Sequence, residues 1–171
     1  MKFGDGLEPG VEIGPLIDEA GMAKALAHIE NAVAGGARVL CGGKRSGDKG
    51  FFIEPTVLAD VPKDALCMQE ETFAPIAPIT PFDSEEEAIA IANDSEFGLS
   101  GGVYTNDTDR AYAVARRIRT GHFTQNGREF DLTNPFGGFK KSGVGREGGP
   151  EGMQPYVEIK TVFLPEKPSG L

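Results

Sequence analysis

Tryptophan is absent, and only two cysteines and two histidines occur among the 171 residues. Cys41 and Cys67 lie 26 positions apart, and two thiols in a chain of this size make no disulfide framework. A reducing compartment, the cytoplasm, is therefore the expectation. With only His28 and His122 besides, no metal-ligand spacing can be drawn, and no metal is expected. Positive charge is also short: 17 Lys and Arg stand against 26 Asp and Glu, a net charge of −9 that repels a phosphate backbone. The densest basic stretches, Arg116-Arg117-Ile118-Arg119 and Lys140-Lys141, lack the interleaved aromatics of a single-strand binding face, which excludes nucleic acid as a partner. No run approaches the roughly 18 apolar residues of a membrane helix, and no charged-then-apolar leader opens the chain. A soluble, untargeted protein with no membrane partner is expected. The 12 prolines and 24 glycines are spread along the chain and the apolar share of 39% is ordinary, so the chain is expected to be globular, with one sizeable core.

What is present is an alternation of helix and strand signals. From Glu19 to Ala34, Met22, Leu26, Ile29 and Val33 recur at steps of four, three and four, one face of a helix that Gly35-Gly36 stops. Arg38-Val39-Leu40-Cys41 reads as a strand ended by Gly42-Gly43, and Arg45 to Gly50 as an exposed turn. Phe51 to Leu58 looks extended, with Pro55 pushing it toward a sheet edge. Ile76 to Phe82 is a further strand. Ser84 and Glu87 form a capping box for a helix through Ala88, Ile89, Ile91 and Ala92. Leu99 to Thr105 is extended, and Asp107 or Asn106 caps a helix whose Ala111, Val114, Ala115 and Ile118 face inward, with Gly121 as its end. Gly127 to Gly152, with eight glycines and two prolines, reads as one long loop. Tyr156 to Leu164 alternates apolar and polar residues as a half-buried strand does. The fold class expected is α/β, a mainly parallel sheet with flanking helices, plus a C-terminal strand that pairs outside that sheet.

Few residue patterns carry chemistry by themselves. Gly143-Val144-Gly145-Arg146-Glu147-Gly148 fits G-x-G-x-x-G, but no strand precedes it, so it is not read as a dinucleotide loop. Cys41 has no base near it in sequence. Cys67 stands beside Glu70-Glu71, whose negative charge would raise its pKa, and both thiols read as structural. Glu70-Glu71 is either an acid/base dyad or one solvated and one hydrogen-bonded acid. Adjacent residues of an extended segment point to opposite faces, which favours the second. Phe73 reads as core by default.

Longer ordered stretches resemble a known family. Asn134-Pro135-Phe136-Gly137-Gly138-Phe139-Lys140-Lys141-Ser142-Gly143-Val144-Gly145-Arg146-Glu147, continuing through Pro150-Glu151-Gly152 and Tyr156-Val157-Glu158-Ile159-Lys160-Thr161, resembles the carboxy-terminal signature of the NAD(P)-dependent aldehyde dehydrogenase superfamily. Met68-Gln69-Glu70-Glu71-Thr72-Phe73-Ala74-Pro75 is similar to its Glu-Glu-x-Phe-Gly-Pro motif. Gly14-Pro15-Leu16-Ile17 and Gly50-Phe51-Phe52-Ile53-Glu54-Pro55-Thr56 match other family segments in the same order.

The resemblance implies a reaction in which a cysteine thiolate attacks an aldehyde, a hydride passes to NAD or NADP, and water hydrolyses the thioester. It implies that the nucleophile, in a Gly-Gln-x-Cys context, the general-base glutamate and the phosphate-binding glycines precede Met1. No catalytic residue is then assigned here, and the chain alone is expected to be inactive. By the same resemblance Glu71 accepts hydrogen bonds from the nicotinamide ribose, Phe73 packs near the nicotinamide end, and Phe136 lines the aldehyde tunnel. Residues 1–150 would be part of the catalytic domain. Residues 151–171 would supply a helical turn and an oligomerisation strand through which a homo-oligomer assembles. Three departures stand out: Ala74 where the motif has glycine, Gly121-His122-Phe123-Thr124-Gln125-Asn126 in place of Gly-Thr-Val-x-x-Asn, and Gly148-Gly149 after Arg-Glu. If position 74 needs a positive φ, alanine would strain the loop and displace Phe73.

Overall fold

A computed structural model describes residues 1–127 and 131–170. The chain folds as two units, Met1–Ser95 and Glu96–Leu171.

In the first unit Asp18 caps helix α1, Glu19–Ala34, its carboxylate accepting the Gly21 amide at 2.7 Å. The buried positions of α1 are Met22, Ala25, His28, Ile29 and Ala32, whereas Val33 is exposed. Of the inner face expected, Met22 and Ile29 are buried and Leu26 packs against the core, whereas the alanines and His28 take the place expected for Val33. Ala25 and Ala32 are fully buried because a methyl side chain lets the helix approach its neighbours closely. Strands β1, Arg38–Cys41, β2, Thr56–Ala59, and β3, Ile76–Pro78, form one sheet in that order. The 42–55 connection contains no helix and β2 returns antiparallel to β1. The connection to β3 carries the short helix α2, Leu66–Gln69, and β3 runs parallel to β2. Pro55 precedes β2 rather than lying in it, so the segment expected at an edge supplies the central strand. Leu58 in β2 is fully buried and joins Ile29, Ala32, Val61 and Cys67 in one core cluster, while Met22, Ala25 and Ile53 form another. Gly42, at φ 71°, lets the backbone turn against β2, where any Cβ would meet the Pro55 carbonyl. Ser84 then caps helix α3, Glu85–Asn93, accepting the Glu87 amide; the Glu87 carboxylate reaches the Asp83 amide at 2.9 Å, one residue earlier than a capping box requires.

The second unit holds two small sheets. Strands β4, Phe97–Gly98, and β7, Phe139–Lys140, pair antiparallel; β5, Ser100–Val103, and β6, His122–Gln125, pair parallel around helix α4, Thr108–Ala115. Asp107 caps α4, accepting the Arg110 amide at 2.9 Å, and the helix stops before Ile118. Two guanidinium groups stand over the Phe139 ring, Arg119 at 5.0 Å and Arg146 at 5.4 Å from its centroid.

The α/β class stands, but the single mainly parallel sheet does not: among the described residues the pairings divide evenly between parallel and antiparallel. The expected loop of 127–152 contains β7, a bridge between Phe136 and Glu147, and the start of a 3-10 turn, Glu151–Tyr156; its residues 128–130 lie outside the described residues. No strand forms over Tyr156 to Leu164. That backbone finds no ladder partner among the described residues, and Tyr156, Ile159 and Phe163 are exposed. A strand requires a neighbour to exchange hydrogen bonds with, and alternation of side chains does not provide one.

Candidate functional site

The segment from Glu70 to Ala74 is built outward from α2. Asn31 on α1 accepts the Leu66 amide at 2.8 Å, fixing the start of α2, and the Gln69 side chain donates to the Lys63 and Asp94 carbonyls at 2.7 and 3.1 Å. Cys67 turns inward from this helix. The chain then becomes extended at Glu70. The Glu70 carboxylate lies 3.4 Å from Nε2 of His28 and 3.9 Å from Nζ of Lys24, while Lys24 also donates to the Glu71 carbonyl. Glu71 is exposed, and its carboxylate has no hydrogen-bond partner among the described residues. Thr72 meets Nδ1 of His28 at 3.0 Å through its hydroxyl. Phe73 follows at φ 53° with its ring 81% exposed, and Ala74 packs back against the core. The Pro75 carbonyl then accepts the Thr56 amide at 2.9 Å. Glu71 and Phe73 are therefore neighbours presented to solvent on a segment anchored at both ends. Phe73 is not a core residue.

In the second unit a pocket of about 530 Å³ opens between β6 and residues 131–136. Just before β6 two backbone segments approach closely: a Cβ at Gly121 would collide with the Gly137 carbonyl. Phe136 exchanges two backbone hydrogen bonds with Glu147, at 2.7 and 2.8 Å. Its ring stands 6.2 Å from that of His122 at a 57° tilt. Both line the pocket with Thr124, Gln125 and Asn134. Asp131, also in the lining, accepts the Thr133 hydroxyl at 2.7 Å and its amide at 2.9 Å, and these bonds hold its carboxyl below the usual range.

Neither thiol lines this pocket, and both are free. Burial pushes the Cys67 thiol up; the direction matches the sequence expectation, but desolvation rather than neighbouring acids is the cause. Cys41 is exposed on β1, its Sγ 3.7 Å from the Pro55 carbonyl, which corrects its reading as a packed structural residue.

Residues 1–162 match the family model described as the aldehyde dehydrogenase family. The chain belongs to the aldehyde dehydrogenase family. It is 47% identical over 165 residues to glutarate-semialdehyde dehydrogenase of Pseudomonas aeruginosa, covering 96% of this chain and 34% of that protein. The succinate-semialdehyde dehydrogenase [NADP(+)] of Escherichia coli is also 47% identical, again over 96% of this chain and 34% of its own length. The crystal structure of Mycobacterium tuberculosis aldehyde dehydrogenase complexed with NAD+ superposes with a TM-score of 0.92 at 46% identity, covering 96% of this chain and 35% of that one. The chain thus spans about a third of the length of these aldehyde dehydrogenases.

The family motif also explains a correction. The left-handed residue of Glu70-Glu71-Thr72-Phe73-Ala74-Pro75 is Phe73 itself, and Ala74 has no positive φ, so alanine there strains nothing. Sequence reasoning missed Lys24, His28, Thr72 and His122. The i, i+4 spacing of Lys24 and His28 was the available signal for one shared helix face.

Proposed function

We propose that this chain is the carboxy-terminal third of an NAD(P)-dependent aldehyde dehydrogenase that oxidises an aldehyde to a carboxylic acid. Residues 1–150 would complete its catalytic domain and residues 151–171 would form its oligomerisation arm. The order of the matched motifs supports that placement. Sequencing the locus ahead of the Met1 codon tests it, since an in-frame Gly-Gln-x-Cys segment must appear there.

The observation that carries the functional reading is the pair Glu71 and Phe73, exposed side by side beyond an anchored helix. A carboxylate without a protein partner has acceptor capacity for both hydroxyls of a ribose diol, and a projecting ring can pack against a flat heterocycle; the residues present therefore fit the cofactor. Glu71 would hold the ribose, Phe73 would limit where the nicotinamide sits, and Phe136 would wall the aldehyde pocket opposite β6. The bound dinucleotide supplies the hydride acceptor. The succinate- and glutarate-semialdehyde enzymes among the relatives support an aldehyde as the substrate class, with NAD or NADP as the dinucleotide. Two free thiols fit a cytoplasmic setting.

By this reading the 171 residues turn over no aldehyde alone, because a thioester needs a thiolate beside the substrate: Cys67 is buried with its thiol pushed up, and Cys41, though exposed, does not line the pocket beside β6. In the intact enzyme Glu71→Gln should weaken cofactor binding roughly 10- to 100-fold, the range for losing charge-assisted hydrogen bonds. An unchanged KM for the dinucleotide refutes the role of Glu71. Turnover by the isolated chain that Cys67→Ala abolishes refutes its inactivity.

One observation favours a second role, as an assembly element. Exposed Val157, Ile159, Phe163 and Leu164 suit a strand that pairs with a second copy. Light scattering that finds only monomer refutes it.

A further inference from the structure

His28 is 2% exposed, a polar ring on the core face of α1 among Ala25, Ile29 and Ala32. A buried imidazole must find partners, and those it finds lie on the candidate cofactor segment: Thr72 Oγ1 at 3.0 Å from Nδ1 and Glu70 Oε2 at 3.4 Å from Nε2. A carboxylate only accepts, so its place beside Nε2 favours the hydrogen on that nitrogen; in that neutral tautomer Nδ1 is the acceptor and the Thr72 hydroxyl donates to it. One turn earlier on the same face, Lys24 reaches the Glu70 carboxylate and the Glu71 carbonyl. Two side chains of α1 thus grip three consecutive residues, immediately before a phenylalanine at φ 53° with its ring 81% exposed. A left-handed, non-glycine residue without packing around its ring is held by what anchors the backbone on either side.

We infer that His28 is a positioning residue: through Thr72 and Glu70 it fixes the segment that presents Glu71 and Phe73, and so sets where the cofactor's ribose and nicotinamide ring are received. The inference rests on the reading of Glu71 and Phe73 given above. It differs from a space-filling role in requiring an acceptor at the Nδ1 position. Asparagine places its carboxamide where Nδ1 stands, whereas glutamine reaches the Nε2 position and leaves Thr72 unmet.

The test is nitrogen-15 relaxation of the 171-residue chain, read at the amides of Glu71, Thr72 and Phe73. Wild type and His28→Asn should show order parameters near about 0.85, and His28→Ala and His28→Gln should fall below about 0.6. Equal rigidity in His28→Ala, or rescue by glutamine and not asparagine, overturns the proposal. Should His28→Ala not fold, Thr72→Val leaves the ring and α1 in place and must loosen the same residues; a rigid segment there is equally fatal. Dinucleotide kinetics of the intact enzyme separate the two readings. An unchanged KM for the dinucleotide in Glu71→Gln refutes the ribose contact, while the order parameters still decide the role of His28.

Discussion

Truncating Leu58 tests the packing of the first unit. Leu58 is fully buried in the central strand, opposite Val39 of β1 and Pro78 of β3, with Ile29 and Ala32 of α1 in the same cluster. Leu58→Ala removes its transfer energy and leaves a cavity that rigid strands on both sides cannot collapse, a loss of about 2–5 kcal/mol. For a unit of this size a loss near 3 kcal/mol lowers the thermal midpoint by roughly 12–24 °C. Leu40→Ala is the matched control. Leu40 is the same residue type on the neighbouring strand, but it falls in the irregular register between Val39 and Cys41 and is 56% exposed, so its truncation should stay within about 0.5 kcal/mol. Urea unfolding followed by circular dichroism, at constant slope, measures both. Two variants within about 1 kcal/mol of each other, or a larger effect at Leu40, would refute the burial assigned to β2.

Thiol labelling should divide the cysteines. Iodoacetamide near neutral pH should alkylate exposed Cys41 and leave Cys67 at least about tenfold slower until the chain is unfolded; equal rates would show that α2 does not bury its thiol. Glu87 should titrate below its ordinary value of 4.5, held down first by the Asp83 amide and then by Lys63. Because the folded value is the lower one, its contribution to the start of α3 is present above about pH 4.5 and is lost as pH falls through the folded value. A carboxyl carbon titration with a midpoint at or above the ordinary value contradicts this.

Local signals carried far in this chain. Helix α1 runs from Glu19 to Ala34 and stops at Gly35 as expected, and Ser84 and Asp107 cap the helices they precede. Strand direction was also within reach, because a helix in the connection accompanies each parallel pair and its absence leaves β1 and β2 antiparallel. Three things were not legible. The buried face of α1 is chosen by what packs on it, and alanines outrank Val33 where the approach is close. The pairing of His28 with Thr72 spans 44 positions and has no local trace. Glu71, Phe73 and Phe136 were reached through resemblance, and only three-dimensional placement shows two of them standing clear of the surface and the third set against His122.

The boundary after Ser95 also partitions electricity. Up to it the sequence holds seven lysines and arginines against 17 acids; beyond it ten face nine. The low isoelectric point is thus a property of the amino-terminal unit alone. Small cations in the surrounding solution gather around that unit, while its neighbour stays close to electroneutral.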